Sequence, residues 1–131
     1  MVIDSSALIA ILTHEAEKEQ FLDAIVRTPQ RFLSSANLLE TAIVMTNRVG
    51  QLGGKLLDEF ISASGITVVS VTLEQINIAR QAFYQYGKGR HPAALNFGDC
   101  FAYSLAKFLN QPLLFKGTDF SQTDLIGFCD D

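Results

Sequence analysis

The chain has 131 residues, 48% of them hydrophobic, with a formal net charge of −4 and a sequence pI near 5.0. That length and apolar content suit a single domain, residues 1–131, built around one buried core. The acidic balance excludes a broadly basic nucleic-acid coat, so any contact with nucleic acid has to come from a local patch.

In chain order, "MVID" at residues 1–4 reads as a first strand, a short apolar run ending on an acid. The run beginning there, "VIDSSALIAIL", lacks the basic lead and cleavage site of a signal peptide and is too short to span a bilayer. A cytoplasmic protein without membrane contact is the expectation. His14 reads as an exposed helix-start residue, and Phe21, Leu22, Ile25 and Val26 fall at helical spacing within Glu15 to Val26. "RFLSS", residues 31–35, predicts the second strand. Ser35 then opens a helix through Leu38, Leu39, Ala42 and Ile43 to Val49, and Leu56, Leu57, Phe60 and Ile61 mark another that ends near Gly65. "ITVVSV" predicts the third strand, and Thr72 is a plausible N-cap for a helix running to Gly87, with Glu74 in its first turn. After the glycine-punctuated loop "YGKGRHP", Asp99 opens the last long helix, and "PLLFKG" predicts the fourth strand. Phe83, Phe97, Phe101 and Phe108 sit at helical spacing and are expected in the core. Cys100 and Cys129 lack the spacing of a zinc site and are read as reduced thiols.

Strands alternating with helices predict an α/β fold, a three-layer α/β/α sandwich with a central, mainly parallel sheet and right-handed crossovers. Ligands of such sheets bind outside the carboxyl ends of the strands. Acids stand there: Asp4 closes the first strand, Asp119 follows the fourth, and Asp99 opens the helix that precedes it. Glu40 sits a turn and a half into its helix between leucine and alanine, where an acid needs a buried partner or a route to water. Singly, each has an ordinary explanation, as a turn former or a helix-dipole residue. Brought to within about 5 Å of one another, each pair of carboxylates would repel by roughly 3 kcal/mol at an effective dielectric near 20. Protons or a cation must offset that. An all-oxygen set without histidine or cysteine selects a hard divalent ion, Mg²⁺ or Mn²⁺, which suits phosphodiester hydrolysis. Ser6 could fix a carboxylate or a metal-held water if the first strand persists through it.

The stretches "MVIDSSALIAIL", "YGKGRHPAALNFGDCFAYSLAK" and "PLLFKGTDFSQTDL" resemble VapC-type toxins of the PIN-domain ribonuclease family, over essentially the whole chain. The resemblance implies an endoribonuclease dependent on Mg²⁺ or Mn²⁺, usually a homodimer, inhibited by a VapB-type antitoxin. It places the family's acids on Asp4, Glu40, Asp99 and Asp119. Asp4 and Asp99 are then expected as direct metal ligands, Glu40 as a ligand directly or through water, and Asp119 as support. Asp124 could share or replace the role of Asp119. The implied reaction is in-line attack of an activated water, leaving a 5′-phosphate and a 3′-hydroxyl on RNA such as tRNA or rRNA. Lys88, Arg90 and His91 could clamp phosphates beside the site, and Lys116 could screen the acids or touch RNA. An apolar, basic stretch of the antitoxin is expected against helices one to four. The alternatives are a PIN-like module that binds RNA or protein without cutting, and a receiver-like signalling domain. A receiver needs two adjacent acids after the first strand, and here Asp4 is followed by "SSAL".

Overall fold

The computed structural model describes residues 1–128, which leaves Cys129 outside the described residues. Four parallel strands, β1 (Val2–Ile3), β2 (Arg31–Ser34), β3 (Ile66–Val69) and β4 (Leu113–Leu114), form one sheet in the order β3-β2-β1-β4. The α/β expectation holds, and the strands are shorter than their apolar runs because the polar residue after each one starts a turn or caps a helix. Asp4 and Ser34 are the N-caps of α1 (Ser5–Leu12) and α3 (Ser35–Val49). Thr72 caps α5 (Leu73–Tyr86) by accepting the Gln75 N–H, as its position predicts.

Helix α1 follows β1 where no helix is predicted, and α2 (Lys18–Arg27) begins later than Glu15. His14 is exposed, but it lies in the turn between these helices with a positive φ of 57°, not at a helix start. The hairpin partner of α3 is α4 (Leu52–Ala63), which gives way at Gly65, where φ is +61°. Helix α6 (Phe97–Leu109) opens two residues before Asp99.

Successive strand residues face opposite sides of the sheet, so each two-residue strand supplies both cores. Ile3, Leu33 and Leu114 pack with Leu8, Ile11, Phe21, Ile25 and Leu57 under α1 to α4. Val2 and Leu113 pack with Ala79, Ala82, Tyr103 and Leu105 under α5 and α6. Arg31 ties the first of these layers together: its guanidinium donates to the Ile25 and Val26 carbonyls near the end of α2 and to Ser64 at the end of α4. A cation there also complements the negative ends of both helices. Cys100 is a free, buried thiol. No helix among the described residues is long and apolar enough to cross a membrane.

Candidate active site

Parallel strands β1 and β4 are neighbours, and both end at the same edge, so the chain leaving each one contributes to a single rim. Asp4 leaves β1 at this rim with only 3% of its surface exposed. Its carboxylate accepts the Ser6 N–H at 3.0 Å, the ordinary N-cap bond. Burial pushes the Asp4 carboxyl up to about 6; the Ser6 hydrogen bonds pull against it, and the negative charges of Asp99 and Glu40 push further. Ser6 thus touches Asp4, though from the first turn of α1 and not from a continued strand, and its hydroxyl oxygen also accepts the Lys116 N–H from the chain after β4.

Asp99 is held by a reciprocal cap at the start of α6. The Asn96 side chain accepts the Asp99 N–H at 2.9 Å, and the Asp99 carboxylate accepts the Asn96 N–H at 3.0 Å. Burial raises the Asp99 carboxyl above its ordinary range, the Asn96 bond opposes this, and the charges of Asp119 and Glu40 add to the rise. Glu40 reaches the same place from α3. Asn37, one turn earlier, donates to Glu40 Oε1 at 3.2 Å, and Glu40 Oε2 lies where a Cβ on Gly98 would stand, 1.9 Å from it. Glycine at 98 is therefore a cradle: any side chain there would displace the carboxylate. This answers the oddity of an acid between Leu39 and Thr41, because its head crosses to the start of α6 and not into the α3 core.

Asp119 is exposed and leads into a short 3-10 turn, Phe120–Gln122, within electrostatic reach of Asp99. Asp124 is not at this rim. It accepts the Tyr103 hydroxyl and pairs with Lys107 at 2.8 Å, on the far half of α6. The chain turns back after the 3-10 segment, and Tyr103, only 5% exposed, needs an acceptor there. Asp124→Asn should accordingly lower stability by about 1 kcal/mol, with the rate of any reaction at the Asp4–Asp99 rim unchanged. Thermal melting and an activity assay on the same sample check this.

Lys116 also departs from its expected place. It pairs with Glu15 and with Glu17, the latter at 3.3 Å, so its charge is spent on the α1–α2 turn and not on the four acids. In the loop after α5, Lys88 and Arg90 are exposed, and Arg90 Nε donates to the Tyr84 carbonyl at 3.2 Å. His91 helps to hold the loop itself, since its Nδ1 accepts the Ala93 N–H at 3.0 Å and its ring sits edge-on to Tyr86. Paired backbone groups, Lys88 N–H to Leu95 O and Leu95 N–H to Tyr86 O among them, close this loop into a defined turn.

The phenylalanines correct the expectation of a core role. Phe97 is 82% exposed, Phe83 and Phe108 are each 39% exposed, and Phe101 is half-buried with its ring edge-on to Phe97. Phe83 of α5 and Phe97 and Phe101 of α6 line one apolar groove, and helical spacing gives their period but not whether another element covers them.

The donors fit a hard divalent cation: all are oxygens, Asp4 is buried, and the negative charges of Asp99 and Glu40 push its carboxyl up. The four acids do not form one tight cluster, however, since no three His, Cys, Asp or Glu side chains among the described residues stand as a ready-made metal set. Mg²⁺ does not require one, because it keeps several waters and usually takes one or two carboxylates. Two contributors escaped the sequence reading, Gly98 and Asn37. A glycine in the first turn of an apolar helix costs about 1 kcal/mol against alanine and signals a close approach. Asn37 carries no such mark.

The PIN domain family profile matches residues 1–125. A ribonuclease VapC of Mycolicibacterium smegmatis is 50% identical over 125 residues, covering 95% of this chain and 97% of the relative. The ribonuclease VapC30 of Mycobacterium tuberculosis is 49% identical, covering 95% of each chain. Among solved structures, the sarcin-ricin loop cleaving toxin VapC20 of M. tuberculosis superposes with a TM-score of 0.80 at 16% identity, covering 98% of both chains. A toxin-antitoxin complex from Klebsiella pneumoniae gives a TM-score of 0.71 at 15% identity, covering 97% of this chain and 95% of that one.

Proposed function

Because the chain belongs to the PIN-domain family and, within it, to the VapC ribonucleases, we propose that it is the endoribonuclease toxin of a toxin-antitoxin pair, working through a divalent cation at the Asp4–Asp99 rim. The single observation that carries this reading is the buried Asp4 carboxylate, pushed up to about 6 by burial and, further, by the negative charges of Asp99 and Glu40. A lone buried acid is stable neutral, whereas a buried acid that feels two further negative charges is suited to a cation.

Asp4 and Asp99 would hold Mg²⁺, with Mn²⁺ as substitute, and Glu40 would reach it directly or through water. When bound, the ion supplies charge neutralisation at the phosphate and an activated water. The chain's own residues do the rest. Ser6 and the Asn96 cap fix the two carboxylates before substrate arrives, which reduces reorganisation during reaction. Asp119, exposed beside Asp99, adds negative charge at the open side. Exposed Lys88 and Arg90 offer the cations that a phosphate backbone needs.

Two partners follow from the same reading. A VapB-type antitoxin segment, apolar and basic, suits α1 to α4, where Val49, Leu52 and Leu56 stand exposed on the α3–α4 hairpin. A homodimer suits the face bearing Leu39, Ile43 and Phe97, and sedimentation at twice the monomer mass is its readout. The function itself is tested by incubating total cellular RNA with antitoxin-free protein in Mg²⁺ or Mn²⁺ and mapping the fragment ends. Discrete cuts with 5′-phosphates, lost in EDTA and in Asp99→Asn, are the expected result. RNA binding without cleavage under any metal would favour the inactive module instead.

A further inference from the structure

Asn37 is fully buried, and its amide works between two of the elements that carry the acids. Nδ2 donates to Glu40 Oε1 at 3.2 Å and to the Gly98 carbonyl at 3.1 Å, one residue before Asp99. Its backbone carbonyl accepts the Ser5 hydroxyl at 3.3 Å, one residue after Asp4, and the Thr41 hydroxyl at 2.7 Å. One residue therefore touches the neighbours of Asp4 and Asp99 and touches Glu40 itself. Its Oδ1, by contrast, is buried with no hydrogen-bond partner. A buried amide with an orphaned acceptor is a liability that a leucine of similar size would not carry. The Gly98 carbonyl lies inside α6 and has its helical partner in any case, so the fold alone does not call for the Nδ2 bond.

We propose that Asn37 is a positioning residue for the ribonuclease site: its amide aims Glu40 at the rim by gripping Oε1 while Gly98 leaves room for Oε2. The inference rests on the functional reading above, since Glu40 needs aiming only if it serves the site. Asn37 is then a residue kept against stability, as sites often require.

The test compares wild type with Asn37→Leu, and with Asn37→Ser in case leucine overpacks, through three measurements. These are the melting temperature, Mn²⁺ affinity from a metal titration followed by electron paramagnetic resonance, and kcat and KM on an oligoribonucleotide spanning a mapped cut. The expected result for Asn37→Leu is a melting temperature unchanged or higher, with Mn²⁺ affinity or kcat reduced about 10- to 100-fold, the usual effect of losing a partner that orients a ligand. KM for RNA stays the same, because Asn37 is out of reach of substrate. A purely structural role predicts the reverse, a lower melting temperature with Mn²⁺ affinity and kcat per folded molecule intact in both variants, and that would overturn the proposal. If wild type cuts no RNA yet loses Mn²⁺ affinity in Asn37→Leu, the ribonuclease reading fails and the positioning role stands.

Discussion

Asp4→Asn is expected to melt higher than the wild type at pH 7.5 in EDTA while losing at least a hundredfold in RNA cleavage, more than the outer partners of a metal ligand usually cost. The stability half follows from linkage. Asp4 titrates near 6 in the fold against an ordinary 3.8, so between these values the native state holds a proton that the unfolded chain has released. Its contribution is fully present below pH 3.8 and is lost as the pH rises through about 6. At 1.36 kcal/mol per pKa unit, keeping this carboxylate ionised at pH 7.5 costs about 3 kcal/mol, which asparagine avoids. Asparagine still accepts the Ser6 N–H, so the cap of α1 survives. The gain should amount to several degrees in melting temperature and vanish below pH 4. Adding Mg²⁺ should close most of this gap at a hundred times its Kd, where ligand stabilises by about 2.7 kcal/mol, and reverse the order at a thousand times, where it stabilises by about 4.1 kcal/mol, since only the wild type offers the site. A variant that melts lower at pH 7.5, by the same margin at every pH, would show that Asp4 is structural.

The acids at the sheet edge were legible because parallel α/β topology sends the chain out of each strand at the same side, so a carboxylate after a strand is already placed. Helix α1 was not legible. Ala7, Leu8, Ala10 and Ile11 are all buried, so the helix has little polar face and gives no 3.6-residue period to separate it from a strand. Phe97 misled for a related reason: periodicity defines a helix face and says nothing of whether another element covers it. Asp124 had the right spacing after β4, yet the 3-10 turn and the Tyr103 hydroxyl decide where it points. Neither can be seen in the local sequence. Asn37 is the extreme case, since the partner that ties its amide to the start of α6, the Gly98 carbonyl, is 61 residues away.

Gly98→Ala should separate fold from function most cleanly. Its Cβ would meet Glu40 Oε2 at 1.9 Å and Cδ at 2.6 Å, and these atoms end a flexible side chain, half-buried at a rim. Glu40 can swing to solvent at little cost, while the new alanine gains up to about 1 kcal/mol over glycine in a helix. Stability is then expected to hold or rise slightly, and kcat to fall about 10- to 100-fold with KM for RNA little changed. Because the mutation acts by expelling Glu40, adding Glu40→Ala to it should cost almost nothing more, although Glu40→Ala alone is as damaging as Gly98→Ala. Such non-additivity is the signature of two residues working as one. Additive losses would mean that Gly98 serves the site by some route other than the room it leaves for Glu40. Wild-type kcat in Gly98→Ala would remove Glu40 from the reaction, leaving Asp4 and Asp99 as the pair that any bound cation must use.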